Sequence, residues 1–407
     1  MSRKLLVLSV LYFVQGLPYG FQATALPVYM RQEGVSLKGI GLASALSLPW
    51  IFKVIWGPWV DRFGSPSFGR RRSWIVPLQV ALAAACGVAA LIEPQGGLIP
   101  LLSLALLMNV FASTLDVAVD GLAVDVLEPR ELGYGNIAQV VGYKVGMLTG
   151  GGLLVWASQD IGWDGLFLSM AGLILLALAV TATFREPAQP AGVRSSQSVT
   201  AVLRALGQAM KVPGAAWVIA FIATYKLGES MADAMFRPFL VDGGITRGDI
   251  GLWLGTYGLL FSLVGSFLGG IAASRFGLLR TVAAAAALRA LAVGGEWWLS
   301  LVELTPGRVI SVIAVEHAFG GALTTAIFAV MMSRVDRQIG ATHYTVFATI
   351  EVAGKLFAGW LSGYFATWFG YAGVFAIATV LAFAFLGLLY PIFRLQAGEV
   401  ESPRIHA

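Results

Sequence analysis

Four ionisable residues lie in one apolar stretch, 214–240, at a spacing that brings their side chains together on a helix. They are Lys226, Glu229, Asp233 and Arg237. At about 100° per residue, steps of three and four place them within roughly 80° of one another. A charge at bilayer depth costs on the order of 3 kcal/mol unless it faces a cavity or a partner. The stripe therefore predicts a polar path inside the fold, with Glu229 or Asp233 as a titrating group.

A second acidic pair is separated by one helical turn. Asp116 and Asp120 lie in the same apolar stretch. Two buried carboxylates on one face repel each other, and burial disfavours the charged form of both, so one of them is expected to hold a proton. One interpretation is a proton-coupling site. The alternative is that Asp120 forms a structural ion pair with Arg130 or Lys53.

Two lysines, Lys144 and Lys355, also lie within apolar stretches, 211 residues apart. A buried ammonium needs a carboxylate or an anionic ligand. One interpretation is that both lysines attract an anionic solute. The other is structural pairing, for which Lys355 has Glu351 one turn earlier. In that case Lys144 would pair with Asp116.

Glu316 and His317 lie in the middle of the apolar stretch 308–332. Because adjacent helical positions diverge by about 100°, both cannot face one cavity. Glu316 is expected to face inward and exchange a proton. His317 titrates near neutral pH in water, but a lone histidine more often packs or forms hydrogen bonds. The predicted proton-coupling residues are Asp116, Asp120, Glu229 and Glu316.

The composition shows what kind of chain carries these charges. Hydrophobic residues make up 57% of the 407 residues, charged residues make up 12%, and the mean hydropathy is +0.79. Soluble domains carry about 25% charged residues, so this is a polytopic membrane protein. The single cysteine, Cys86, excludes an intrachain disulfide. The net charge of +5 does not indicate nucleic-acid binding, because the basic residues are concentrated in loops on one side.

Twelve apolar stretches are long enough to cross a bilayer. They run over roughly 5–29, 39–60, 74–93, 98–126, 136–158, 164–184, 214–240, 250–273, 280–301, 308–332, 344–368 and 371–393. The longest stretch that is not apolar, 185–212, divides them six and six. We therefore predict an all-α fold with a six-helix bundle at 1–184, a linker at 185–212, and a second bundle with a short tail at 213–407.

The two halves repeat each other. Gly34–Leu42 resembles Gly244–Leu252, Asp61–Gly64 corresponds to Ser274–Gly277, and Lys144 corresponds to Lys355. The offsets are 210, 213 and 211 residues, which indicates two six-helix units in tandem.

Loop charge predicts the orientation, because cytoplasmic loops carry an excess of Lys and Arg. With both termini on the inner side, the inner loops and tails carry 17 of these residues and the outer loops carry 4. The outer four are Arg31, Lys38, Arg247 and Arg308. Both termini are therefore predicted to be cytoplasmic, in the plasma (inner) membrane if the source is bacterial.

The loop after the second span reads Gly57-Pro-Trp-Val-Asp-Arg-Phe-Gly64, and three arginines follow it. With twelve spans in two repeated halves, this loop resembles the signature of the major facilitator superfamily, with four extra residues before the arginines. Gly57 lets helices approach, and Asp61 can bind a neighbouring helix end or pair with Arg62. The resemblance implies a cytoplasmic latch made of Gly57, Asp61, Arg62, Gly64, Arg70, Arg71 and Arg72. Its second-half counterpart has Ser274 in place of the acid.

Further motifs narrow the resemblance. They are Gly16-Leu-Pro18, Phe52-Lys53, Asp116-Val-Ala-Val-Asp120, Asp125-Val-Leu127 and Gly142-Tyr-Lys-Val-Gly-Met-Leu148. These resemble AmpG-type muropeptide permeases and the related acetyl-coenzyme A transporter branch, most densely over 12–160. Two second-half segments, 224–229 and 341–344, look more like animal carriers of the same branch.

Together these features predict a secondary active transporter driven by a proton gradient, with an anionic or zwitterionic solute such as a muropeptide as cargo. An acyl-coenzyme A or other nucleotide-bearing anion is the alternative cargo, and a receptor that binds without transport is an alternative of another class. The sequence contains no Gly-x-x-x-x-Gly-Lys-Ser/Thr motif and no metal-ligand or Ser-His-Asp grouping, so we expect no ATP, metal, cofactor or enzymatic activity. A monomer in the lipid bilayer is expected. The residues predicted to contact the solute are Tyr19, Gln139, Tyr143, Lys144, Tyr225, Lys226, Asp233, Glu351 and Lys355.

Overall fold

The computed structural model describes residues 2–26, 30, 46–65, 67–92, 98–186 and 198–401. In these ranges the chain is helical, and the only β-type pairing is an isolated bridge between Ser65 and Gly69. The predicted repeat segment Gly34–Leu42 and the central part of the predicted linker lie outside the described residues.

The helices follow one another with short connections. In the first half they are α1 (Arg3–Gly20, continued as a π-helix over Phe21–Ala25), α2 (Leu48–Arg62), α3 (Arg72–Ala89), α4 (Leu98–Val126), α5 (Leu132–Leu148, continued as a π-helix over Thr149–Leu153) and α6 (Leu154–Thr183). After α7 (Val199–Ala209) come α8 (Ala215–Thr224), α9 (Leu227–Asp242), α10 (Arg247–Ile250), a π-helix at Gly251–Gly258, α11 (Leu259–Phe276), α12 (Leu278–Leu299), α13 (Pro306–Ser333) and α14 (Gly340–Glu401).

Two glycines divide long helical stretches into separate membrane passes. Gly162 in α6 has a φ of 74° and Gly370 in α14 has a φ of 66°, a backbone region that favours glycine. Eight helical stretches in the described ranges are long and apolar enough to cross a membrane, and two of these are kinked at the two glycines. With α2 and the α8–α9 pair added, the predicted twelve-span, all-α architecture is confirmed.

The seventh span differs from the prediction. It was expected to form one helix over 214–240, but α8 ends at Thr224 and α9 begins at Leu227. Lys226 lies at the break, with φ −106° and ψ 6°. The expectation that four charges share one helical face is therefore wrong for Lys226, while Glu229 and Asp233 remain one turn apart on α9.

Two compact units account for the contacts between helices. The first comprises Met1–Glu128, Ile137–Leu206 and Val335–Val346, and the second comprises Pro129–Asn136, Gly207–Arg334 and Phe347–Ala407. In the first unit α4 packs against α1, α2 and α3, and α3 packs against α6. In the second unit α13 packs against α11 and α12, and α9 contacts α12. The predicted bundle boundaries at 184 and 213 stay a prediction.

Small residues allow the closest of these helix contacts. Gly265 and Gly269 of α11 face the backbone of Ala318 and Ala322 of α13, where a Cβ atom would collide. Close packing of this kind brings the polar side chains of neighbouring spans within reach of each other.

Candidate functional site

In the first unit, a buried ion pair joins α2 to α4. The ammonium of Lys53 contacts a carboxylate oxygen of Asp116, and both side chains are 10% exposed. Sequence reasoning named Lys144 as a structural partner for Asp116, but the structure gives Lys53 that place and leaves Lys144 half-buried on α5. Lys53 was absent from the predicted site residues. Its position inside an apolar span was the signal that could have identified it.

Asp120, one turn further along α4, is held by uncharged donors. The Tyr12 hydroxyl donates to its Oδ1 at 2.7 Å, and the Gln139 amide donates to the same oxygen at 3.1 Å. The hydroxyl of Tyr344 donates to Gln139 Oε1 at 3.1 Å, which extends the network. The expected pairing of Asp120 with Arg130 or Lys53 is therefore replaced by hydrogen bonds. Two buried carboxyl groups thus stand beside one ammonium.

An aromatic cluster borders this pair. The rings of Tyr19, Trp50 and Tyr143 have centroids 5.8, 5.9 and 6.0 Å apart. The Trp50 indole donates to Asn109 Oδ1 at 2.8 Å, and the Lys53 ammonium lies 5.6 Å from the Trp50 ring centroid. The sequence assigned Trp50 to the membrane interface, and the structure corrects this. Ring faces beside an ammonium are suited to a solute with both apolar and anionic groups.

Asp61 of α2 binds the first turn of α14. Its carboxylate accepts hydrogen bonds from the backbone N–H groups of Ala341 at 3.3 Å and Thr342 at 2.7 Å. A carboxylate at a helix N-terminus interacts favourably with the helix dipole. Asp61 also forms a 2.8 Å ion pair with Arg71. The predicted helix-end contact is thus present at the start of α14.

Other residues of the predicted latch surround Asp61. A Cβ atom on Gly57 would lie 3.3 Å from Thr342, and one on Gly64 would lie 2.6 Å from the Arg70 backbone, so both positions require close approach. The Arg62 guanidinium lies over the Phe63 ring at 5.2 Å from its centroid, and that of Arg72 lies over Phe68 at 4.7 Å.

The arginines of this loop are electrostatically coupled. Asp125 accepts from Arg71 at 2.9 Å and from Arg70 at 3.2 Å. Burial lowers the pKa of Arg71, but Asp125 and Asp61 outweigh burial and raise the net pKa. Burial, followed by the neighbouring Arg71 charge, lowers the pKa of Arg70.

Glu186, which sequence reasoning missed, completes the loop. It accepts from the backbone N–H groups of Arg71 at 3.0 Å and Arg72 at 3.2 Å, at the start of α3. Burial raises the pKa of Glu186, and the two backbone donors oppose that shift. An acid directly after the sixth span, facing an arginine-rich loop, was the available signal.

In the second unit, Arg289 of α12 organises a charged cluster that sequence reasoning did not predict. Its guanidinium contacts the carboxylate of Glu316 and lies 3.3 Å from Glu229. Lys226 lies 3.4 Å from the other oxygen of Glu229. His317 Nδ1 contacts Glu316, so the two neighbours meet although only one was expected to face inward. Arg289 was readable as a charge inside the apolar stretch 280–301.

Three carboxyl groups converge beside Arg289. Oxygen atoms of Asp233, Glu296 and Glu316 all lie within 4.8 Å of one another. Glu296 and Glu316 are buried, whereas Asp233 is exposed, as is Arg237 one turn later. The sequence suggested no metal-ligand grouping, because the three carboxyl groups come from three different spans. Carboxylates suit hard cations, but here one of them is already bound to a guanidinium.

Glu351 of α14 receives two further contacts. Lys355 lies 2.8 Å from its Oε2 atom, and the Tyr225 hydroxyl donates to Oε1 at 2.9 Å. The Lys226 ammonium lies 5.7 Å from the Tyr225 ring centroid. The structure thus contains the Lys355–Glu351 pair that was one of the two interpretations, and brings Tyr225 to the same carboxylate.

Comparisons with known proteins agree with this architecture. The family model described as Major Facilitator Superfamily matches residues 8–228. The anhydromuropeptide permease of Escherichia coli (strain K12) is 31% identical over 388 residues, which cover 94% of this chain and 78% of that protein. The crystal structure of the E. coli fucose:proton symporter superposes with a TM-score of 0.73 at 15% identity, over 95% of this chain and 98% of that one. A bacterial homologue of the iron transporter ferroportin gives 0.68 at 13% identity, over 96% and 99%.

The chain belongs to the Major Facilitator Superfamily and is therefore an integral, multi-pass membrane transporter rather than an enzyme. Within that class it is an AmpG-type permease, as the motifs of the first five spans predicted.

Proposed function

We propose that this transporter couples proton entry to the uptake of a muropeptide, an amino sugar that carries a short, anionic or zwitterionic peptide. The observation that carries the proposal is the first-unit group of two buried carboxyls, Asp116 and Asp120, beside the single ammonium of Lys53 and an aromatic cluster. This group combines a proton acceptor, a cation and ring faces within one unit.

Charge balance supports proton coupling. Asp116 is neutralised by Lys53, while Asp120 is held by Tyr12 and Gln139, which carry no charge. An additional carboxylate charge at membrane depth is unfavourable, and a bound proton removes it. A solute carboxylate that competes for Lys53 would leave Asp116 without its counter-ion and favour protonation of the acidic pair. Solute and proton would therefore bind together, as symport requires.

The cargo is argued from the relative and from the aromatic cluster. A 31% identical protein is named as an anhydromuropeptide permease. Tyr19, Trp50 and Tyr143 offer ring faces for the sugar, and Lys53 offers an ammonium for a peptide carboxylate. We further propose cytoplasmic termini and a location in a bacterial inner membrane, because the arginine-rich loops are expected to face the cytoplasm.

Uptake by reconstituted protein tests the role of Asp116. Proteoliposomes that contain wild type or Asp116→Asn receive labelled anhydromuropeptide under an imposed pH gradient. We expect Asp116→Asn to abolish concentrative uptake while the protein stays folded, because the acidic pair loses one titrating group. Unchanged uptake with unchanged pH dependence would remove Asp116 from the mechanism.

Ligand stabilisation separates the two cargo classes. A ligand that binds the native state raises the apparent unfolding temperature with its concentration. Anhydromuropeptide should stabilise the purified protein, and acetyl-coenzyme A should not. The opposite ranking would favour the nucleotide-bearing anion, and stabilisation without flux would identify a receptor.

A further inference from the structure

Glu296 is a buried carboxyl group of α12 to which the proposed function gives no role. It lies seven residues after Arg289, two helical turns further along the same face. We infer that Glu296, with Asp233 beside it, is the group of the second unit that binds the coupling proton. This inference rests on the proposed proton-coupled function.

The permanent cations of this cluster are already engaged, as far as the described residues show. Arg289 contacts the carboxylates of Glu316 and Glu229, and Lys226 lies 3.4 Å from Glu229. Two further carboxyl groups belong to the same cluster, so four acids face two permanent cations. If all four were ionised, two negative charges would remain at membrane depth, which is strongly unfavourable.

The surroundings of Glu296 select it as a proton acceptor. The residue is 2% exposed, and its Oε2 atom has no hydrogen-bond partner among the described residues. Its oxygens lie within 4.8 Å of those of Asp233 and Glu316. A buried carboxylate beside two others, with one oxygen that accepts no hydrogen bond, is the least stable charged form in the cluster. Protonation removes the charge and creates a hydroxyl that can donate to a neighbouring carboxylate.

Charged and titratable groups reach this position from three helices. They are Asp233 and Glu229 of α9, Glu316 and His317 of α13, and Arg289 of α12 itself. The acids favour the protonated form of Glu296, and Arg289 favours the ionised form. Because Arg289 is held by Glu316 and Glu229, the acids dominate.

Asp233 gives the buried group a route to water. It is exposed, whereas Glu296 and Glu316 are buried. A hydronium ion can transfer its proton to Asp233, leaving water, and the proton can then move to the neighbouring oxygen of Glu296. When Glu296 releases the proton, its negative charge competes for Arg289, which joins α12 to α13 through Glu316. Protonation is thereby linked to helix packing, as alternation between two states requires.

The same carboxyl oxygens could ligate a metal cation, and the geometry favours a proton instead. The Arg289 guanidinium contacts Glu316 directly, so positive charge already occupies one side of the cluster. A proton needs one oxygen, whereas sodium or a divalent ion needs a nearly complete oxygen shell.

Transport by Glu296→Gln tests the inference in the full-length, reconstituted protein. Glutamine mimics the protonated carboxyl, so we expect loss of anhydromuropeptide accumulation under a pH gradient, with counterflow of labelled against unlabelled solute retained. Glu296→Asp keeps a titrating group and should keep gradient-driven accumulation. Glu303→Gln, an exposed acid in the connection after α12, is the matched control and should behave as wild type.

Infrared difference spectroscopy gives a readout that needs no transport. A protonated carboxyl has a distinct C=O stretch, which we expect in the wild type at neutral pH, shifted in Glu296→Asp and absent in Glu296→Gln. If Glu296→Gln does not fold, the shift in Glu296→Asp decides. An unchanged band, unchanged gradient-driven accumulation by Glu296→Gln, or a requirement for sodium would overturn the inference. A wild type that ignores the pH gradient would refute the proposed function, and the band would still report whether Glu296 holds a proton.

Discussion

Arg289 and Glu316 join α12 to α13 at a buried point of the second unit. The guanidinium contacts the Glu316 carboxylate and also donates to the Glu316 backbone carbonyl. The same guanidinium lies 3.3 Å from Glu229 of α9. One cation thus neutralises acids from two other helices, so the packing of all three depends on Arg289.

Loss of Arg289 should destabilise the protein severely. Arg289→Gln leaves Glu316 and Glu229 buried without their shared cation, and breaking a buried pair in this way costs about 3 to 5 kcal/mol. Unfolding by denaturant in detergent measures the change. Arg280→Gln, an exposed position at the start of the same helix, should have little effect. Equal stability of the two variants would contradict the account of Arg289.

Trp50 should matter for solute affinity. Trp50→Leu removes the contacts with Tyr19 and Tyr143 and the hydrogen bond to Asn109. We expect KM for anhydromuropeptide to rise about tenfold, which corresponds to about 1.4 kcal/mol. Uptake kinetics measure the change, with Trp368→Leu as the control because Trp368 is 67% exposed. Equal KM values in both variants would exclude Trp50 from the binding surface.

Asp61 should stabilise the start of α14. Asp61→Asn removes the ion pair with Arg71 and weakens two hydrogen bonds from the Ala341 and Thr342 backbone. We expect a loss of about 2 kcal/mol or more, because the Arg71 charge stays buried. Thermal unfolding should separate this variant from Asp160→Asn, which changes an exposed acid. Indistinguishable unfolding temperatures would be evidence against this role.

Glu186 should give stability a pH dependence of unusual sign. Burial raises its pKa in the folded state, so between the ordinary value of about 4.3 and the raised value the folded chain binds more protons than the unfolded chain. The contribution of Glu186 to stability is therefore greatest below this window and falls as pH rises through it. Glu186→Gln should abolish this component in a series of unfolding measurements against pH. An identical pH profile in both proteins would show that Glu186 does not titrate in this way.

The sequence predicted the parts of this fold that local physics determines. Long apolar stretches become spans because an unpaired backbone is too costly in lipid. The pair Lys226–Glu229 and the pair Glu351–Lys355 were readable because residues three or four apart meet on one helical face or turn.

Contacts between helices were not predicted, because spacing along the chain does not show which spans are neighbours. Lys53 meets Asp116 across two helices, and Asp61 meets α14 nearly three hundred residues later. Arg289 and Glu296 were visible as charges in an apolar span, but only packing reveals their partners. The break at Lys226 was missed because no proline or glycine pair marks it in the sequence.

Simultaneous recording of solute uptake and proton movement tests the central claim most directly. Wild-type proteoliposomes without an imposed gradient receive anhydromuropeptide outside, while a trapped dye reports internal pH. Coupled entry predicts that the interior acidifies in step with solute accumulation, and that Asp116→Asn shows no such acidification. Solute entry at the wild-type rate with no change in internal pH would contradict the claim that this transporter is driven by protons.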